Sequence, residues 1–197
     1  MSETGILNEL LISKVRVKIL ELFLSNPEHS YHVRDIVRRV SEEINAVRRE
    51  LARLEKINLL GSEWRANRRL YFALKDFLFY PELLSIINKT SGLGGQIIDS
   101  KNKLGKLKYA MLSGSFVRGK PYNQLDVDLF IVGTIVLPEL GNLVKAEELR
   151  REREINFTPM TEEEFSFRKH RRDPFLMNII SKPRVMLLGD EDEMSKL

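Results

Sequence analysis

LKYAMLSGSFVRGKPYNQLDVDLFIV, residues 107–132, holds two apolar runs separated by a glycine-serine bend and a pair of aspartates. Apolar runs of this length, bounded by turn residues, read as buried strands, here about 107–113 and about 126–132. Working outward, a helix is expected near 137–151 and a third strand over Ile155 to Met160. Thr161 and Glu164 have the capping-box spacing that opens a helix to about residue 170. A further helix near 174–181 then precedes a last strand, Arg184 to Leu188. Strands alternating with helices predict an α/β layer around a small mixed sheet.

Upstream the pattern differs. Residues 13–25 place Val15, Ile19, Leu20 and Phe23 at helical spacing, and Asn26-Pro27 stops the run. Residues 31–40 give a second short helix with Val33, Ile36, Val37 and Val40 inward. A third runs from about Glu42 to Lys56, with Ile44, Val47, Leu51 and Leu54 inward and Ser41 as the expected cap. After Leu60-Gly61 a hairpin is expected around the basic segment Arg65 to Arg69, followed by a helix over about 82–89 with Pro81 in its first turn. Thr90-Ser91-Gly92 and Gly94-Gly95 mark the expected boundary between domains 1–90 and 91–197.

Of the 197 residues 43% are hydrophobic and 30% charged, the balance of a globular protein with room for two small cores. The net charge of +4 leans to the first half, where 15 Lys and Arg face 12 Asp and Glu in residues 1–90. A surplus this small permits a nucleic-acid partner without establishing one, because clustering on one face creates the attractive field. No cysteine is present, which removes disulfides and thiolate metal sites and fits a reducing compartment. No stretch has the length to cross a bilayer and no export signal opens the chain, so a cytoplasmic protein without a membrane partner is expected. His29, His32 and His170 lack metal-ligand spacing.

Three helices closed by a hairpin, residues 13–75, resemble the winged helix-turn-helix of ArsR/MarR-like transcriptional regulators. The resemblance implies that the third helix enters a major groove of double-stranded DNA. Its outward residues Asn45, Arg48, Arg49 and Arg53 would read bases and phosphates, and Arg65, Arg68 and Arg69 at the hairpin tip would lie against backbone or minor groove. The plain alternative is that Arg48, Arg49 and Arg53 solvate a helix face, helped by Glu50 and Glu55. Trp64 either stacks on a partner or anchors the hairpin, with anchoring the default.

Gly114-Ser115-Phe116-Val117-Arg118-Gly119, followed by Asp126-Val127-Asp128, resembles the signature of a minimal nucleotidyltransferase of the DNA polymerase β-like superfamily. It implies a nucleoside triphosphate cradled at Gly114, Ser115, Arg118 and Gly119. Asp126 and Asp128, two apart on a strand, would share a face and hold Mg²⁺ for an in-line displacement. Active members add a third carboxylate from a neighbouring strand. The candidate here is Glu154, at the start of a strand expected over 154–158 with Asn156 on the same face, although a solvated strand end is equally compatible. Leu125 departs from the family, which has a small polar residue before the first aspartate. Lys169 to Arg172 either steers an anion or solvates a helix end.

The first expectation is thus a DNA-binding regulator, with homodimerisation open, whose second domain binds nucleotide and Mg²⁺. The alternative is an active Mg²⁺-dependent nucleotidyltransferase acting on a protein, RNA or small-molecule hydroxyl. Minimal members are often paired with a separate helical protein in toxin-antitoxin modules, which adds a helical protein to the expected partners.

Overall fold

The structure is a computed structural model that describes residues 11–196 apart from Tyr122. The chain is mixed α/β with two sheets and divides into two compact units that meet between Ser91 and Gly92.

In the first unit α1 (Lys14–Ser25) is capped by the Ser13 hydroxyl, which accepts from the Arg16 N–H at 3.3 Å. A two-residue strand, β1 (Tyr31–His32), leads into α2 (Val33–Val40), and His32 Nδ1 accepts from the Asp35 N–H. The cap of α3 (Ile44–Lys56) is Glu43 and not Ser41: its carboxylate accepts the Asn45 and Ala46 N–H groups at 2.8 and 2.9 Å. Ser41 instead closes α2 in the left-handed region, at φ 53°. The anionic side chain suits the positive end of α3 better than a hydroxyl would. β2 (Leu60–Arg65) and β3 (Arg68–Ala73) form an antiparallel hairpin across Ala66-Asn67, and β1 adds to β3 in the order β1-β3-β2. α4 (Tyr80–Thr90) follows, with a proline in its first turn. The inward stripes of the helices, among them Ile19, Phe23, Ile36, Val47, Leu51 and Ile87, close into one core.

The second unit opens on α5 (Gly92–Asp99), a helix formed in the glycine-rich segment read from sequence as the domain boundary. Leu93 and Ile97 are buried four residues apart, and that pair repays the helical cost of the glycines. Then come β4 (Gly105–Ser113), the single turn α6 (Gly114–Val117), β5 (Leu129–Ile135), α7 (Leu137–Arg151), β6 (Phe157–Met160), α8 (Glu162–His170), α9 (Pro174–Ser181), β7 (Arg184–Leu188) and α10 (Glu191–Ser195). The sheet order is β6-β5-β4-β7, parallel between β5 and β6 and antiparallel elsewhere.

Strand alternation splits the apolar side chains between two cores. Ala110, Leu112, Leu129 and Ile131 pack with Leu93 and Phe116 on one face, while Tyr109, Met111, Phe130 and Val132 pack with Phe165 and Leu176 on the other. Burial on both faces explains why β4 and β5 read as continuous apolar runs. A β-bulge between Leu107 and Tyr109 lies opposite Gly133, where φ is 146° and an added Cβ would stand 2.2 Å from the Lys106 carbonyl oxygen. Among the described residues no helix is long and apolar enough to cross a membrane.

Candidate functional site

The end of β4 delivers the chain into α6, and the hydroxyl that caps this turn belongs to Ser113, which accepts the Phe116 N–H at 3.2 Å. Gly114 donates its N–H to the Pro183 carbonyl at 2.7 Å, and a Cβ on Gly114 would meet that same oxygen at 2.7 Å. The glycine is therefore required by the close passage of residue 183. Ser115 is half-buried and borders a crevice with Asp126, Leu125 and Lys182, whose free space of about 20 Å³ suits one water. Arg118 is exposed, and Gly119 turns the chain at φ 67°.

Both aspartates precede the strand, which starts at Leu129 and not near residue 126. Asp126 lies in a turn, where its N–H donates to the Asn123 carbonyl at 3.0 Å. Asp128 is buried between its neighbours: its N–H donates to the Asn156 carbonyl, and its own carbonyl accepts the Ser113 N–H, both at 2.8 Å. Each carboxylate meets a cation of this chain. Arg153 Nη2 stands 2.9 Å from both oxygens of Asp128, and its Nη1 donates to the Lys120 carbonyl at 2.8 Å. The Asn156 N–H adds a third hydrogen bond to Asp128, at 3.1 Å. Lys182 Nζ pairs with Asp126 at 3.1 Å. Arg153 is further held over the buried ring of Phe116, 5.3 Å from its centroid. Burial pushes the Asp128 carboxyl above its ordinary value, against the pull of the Asn156 N–H and Arg153; the nearby charge of Asp126 acts in the same direction as burial.

Glu154 does not begin a strand. β6 starts at Phe157, and residues 152–156 are occupied in turning the chain: Glu152 is left-handed at φ 54°, and the Ile155 N–H donates to the Glu148 side chain at 2.9 Å. Glu154 is exposed. A divalent cation needs several oxygens with lone pairs aimed at one point. Asp128 already accepts three hydrogen bonds, Asp126 is paired with Lys182, and among the described residues no three acidic or histidine side chains converge into a set that could hold a metal. The arrangement does not fit Mg²⁺.

In the first unit, Asn45, Arg48 and Arg49 are exposed on the side of α3 away from Val47, Leu51 and Leu54, and among the described residues no ion pair engages the two arginines. Arg53 is drawn elsewhere. It shares the buried Glu50 with Arg16, at 2.8 and 2.9 Å, tying α3 to α1. The hairpin arginines also part company. Arg69 bonds Glu55 of α3 at 2.6 Å and Ser62 at 2.9 Å, and Arg65 pairs with Glu63 at 2.7 Å, leaving Arg68 as the one of the three without an ion pair among the described residues. Trp64, a default anchor from sequence, is 71% exposed instead of packed into the core of its unit.

Sequence reasoning missed Arg153, Lys182, Ser113 and the reach of Arg16 to Glu50. The partners of Arg153 and Lys182 lie far along the chain, 25 residues from Arg153 to Asp128 and 56 from Lys182 to Asp126, so no local spacing announces them, whereas Ser113 caps the Phe116 N–H only three residues on, a spacing that could have been read. It also missed an apolar cavity of about 550 Å³ in the first unit, lined by Leu20, Leu54, Leu59, Phe77, Phe79 and Ile86. Comparison with family models, with curated proteins and with solved structures returned no match.

Proposed function

We propose that the chain is a DNA-binding transcriptional regulator. Its first unit is a winged helix-turn-helix with α3 as recognition helix and the β2–β3 hairpin as wing, and its second is a nucleotidyltransferase-like domain with a regulatory role. The observation that carries this reading is the outward face of α3, where Asn45, Arg48 and Arg49 stand exposed and, among the described residues, neither arginine forms a salt bridge, although both charges act on the Glu43 carboxylate at the helix start. Arginines that serve only their own fold find counter-charges, as Arg16, Arg53 and Arg69 do in this unit. An unpaired pair beside an asparagine has the donor set that a groove requires, with guanidinium for guanine or phosphate and carboxamide for adenine. Arg68 extends the same charge to the hairpin tip.

The test is anisotropy of a labelled duplex across a range of salt concentrations. The wild-type protein binds with a steep salt dependence, and Arg48→Ala with Arg49→Ala lowers the slope by about two. Affinity and slope equal to wild type in the double variant would remove the reading.

For the second unit, the bend at Gly114-Ser115 beside Asp126 supports a nucleoside triphosphate as ligand, with the crevice widening to admit it, since about 20 Å³ is far below the several hundred Å³ that such a ligand occupies. An active Mg²⁺-dependent nucleotidyltransferase is the competing reading, and the pairing of Arg153 with Asp128 weighs against it. Calorimetric titration of ATP with and without Mg²⁺ separates the two. Heat that does not depend on the metal, without pyrophosphate release, supports the regulatory domain, and pyrophosphate release restores the enzyme.

A further inference from the structure

Trp64 is the only tryptophan of the chain and is exposed at the far end of β2. A single exposed apolar residue is ordinary, but its position here is not arbitrary. Leu60, Ser62 and Trp64 alternate onto one face of β2, and the residues paired with them on β3 are Ala73, Tyr71 and Arg69. The inner members of this face, Leu60, Ala73 and Tyr71, are buried in the core that includes α3. The middle members are bound to α3 directly: Glu55 accepts from Ser62 and from Arg69, each at 2.6 Å. Trp64 is the next step outward along the same face, so the indole is carried past the point where the hairpin leaves the helix.

The result is an exposed indole on a hairpin tied to α3 through Glu55, in a unit whose exposed Arg48 and Arg49 on α3 and Arg68 on β3 have no salt bridge among the described residues. The Glu55–Ser62–Arg69 link fixes the hairpin to the helix and so fixes the strand that carries the indole. Cations without counter-charge call for phosphates, and a duplex that supplies them presents deoxyribose and base edges between the two backbones. Resting on the DNA-binding reading above, we propose that Trp64 packs on sugar and base edges of duplex DNA next to the groove entered by α3, and supplies the part of the affinity that is independent of salt.

A single tryptophan makes the test direct. Duplex DNA added to the full-length protein quenches the Trp64 emission and lowers its acrylamide quenching constant at least about two-fold. Trp64→Ala weakens binding roughly ten-fold while leaving the salt slope unchanged, because no phosphate contact is lost. Trp64→Phe recovers part of the affinity. The exposed position keeps both variants folded, which thermal unfolding checks. Binding seen by anisotropy with unaltered acrylamide access to Trp64, or with Trp64→Ala within about two-fold of wild type, overturns the inference and leaves the DNA reading standing. No duplex binding by wild-type protein overturns both. Acrylamide protection by an acidic polypeptide such as polyglutamate, but not by duplex, assigns the surface to a protein and also overturns the inference.

Discussion

Arg153 Nη2 sits 2.9 Å from each carboxylate oxygen of Asp128, joining the turn after α7 to the residue before β5. Both side chains are largely withdrawn from water, at 18% and 4% exposure. Removing one partner of such a pair strands the other charge. Arg153→Met is expected to cost about 3 kcal/mol in urea unfolding, and Asp128→Asn in that background to restore most of the loss. A single variant as stable as wild type would show that the pair does not hold the fold.

Glu147 is fully buried and receives Arg150 and Arg151, each at 2.6 Å. Burial alone raises its carboxyl, but the hydrogen bonds and charges of the two arginines reverse this and hold it below its ordinary value of 4.5. A lowered folded value means that the stabilisation is complete above 4.5 and is lost as the pH falls through the folded value. Melting temperature against pH should therefore fall in that acidic window for wild type, and less steeply for Glu147→Gln. Parallel curves would contradict the assignment.

Arg68 and Arg69 are adjacent in sequence and opposite in role. Arg69→Ala cuts the link from the hairpin to Glu55 and Ser62, and should lower stability by about 1 kcal/mol. Arg68→Ala should stay within about 0.5 kcal/mol of wild type yet reduce the salt slope of DNA binding by about one. Equal melting temperatures for the two variants would refute the division.

Gly114 and Ser115 can be separated in the same way. Gly114→Ala drives a methyl into the Pro183 carbonyl, and should destabilise by about 2 kcal/mol whether or not nucleotide is present. Ser115→Ala should leave stability nearly unchanged and weaken any ATP binding seen by calorimetry. A stable Gly114→Ala would remove the structural explanation of the motif's glycine.

Helical and strand periodicity carried most of the fold. Val47, Leu51 and Leu54 foretell the inward stripe of α3, and the run from Leu129 to Val132 foretells a strand buried on both faces, because in each case the signal lies in residues adjacent along the chain. Where two local rules compete, the sequence is ambiguous. The glycines of α5 mark a domain boundary and disfavour a helix, yet burial of Leu93 and Ile97 holds a helix there. Ser41 has the right chemistry for a cap, but Glu43 is better placed. The candidate site is less legible still. Asp126 and Asp128 stand out as an acidic pair, and Glu154 stands near a chain turn, but which cation each carboxylate meets is decided by tertiary approach. Lys182 and Arg153 look no different from other surface charges until the chain has folded. Arg53 is a mixed case: Glu50 lies three residues away on the same helix, a local spacing, but the sharing of Glu50 with Arg16 of another helix is visible only once the chain has folded.

The outermost strand β6 has four residues and pairs only with β5, and Pro159 stands opposite Ile131 in that register. A prolyl nitrogen has no hydrogen to donate, so an incoming chain laid along the open side of β6 could not complete a ladder there. Fibre-like growth by β-augmentation is thereby discouraged on this flank, and association of this unit with another molecule through it would have to use side-chain surfaces in place of backbone pairing.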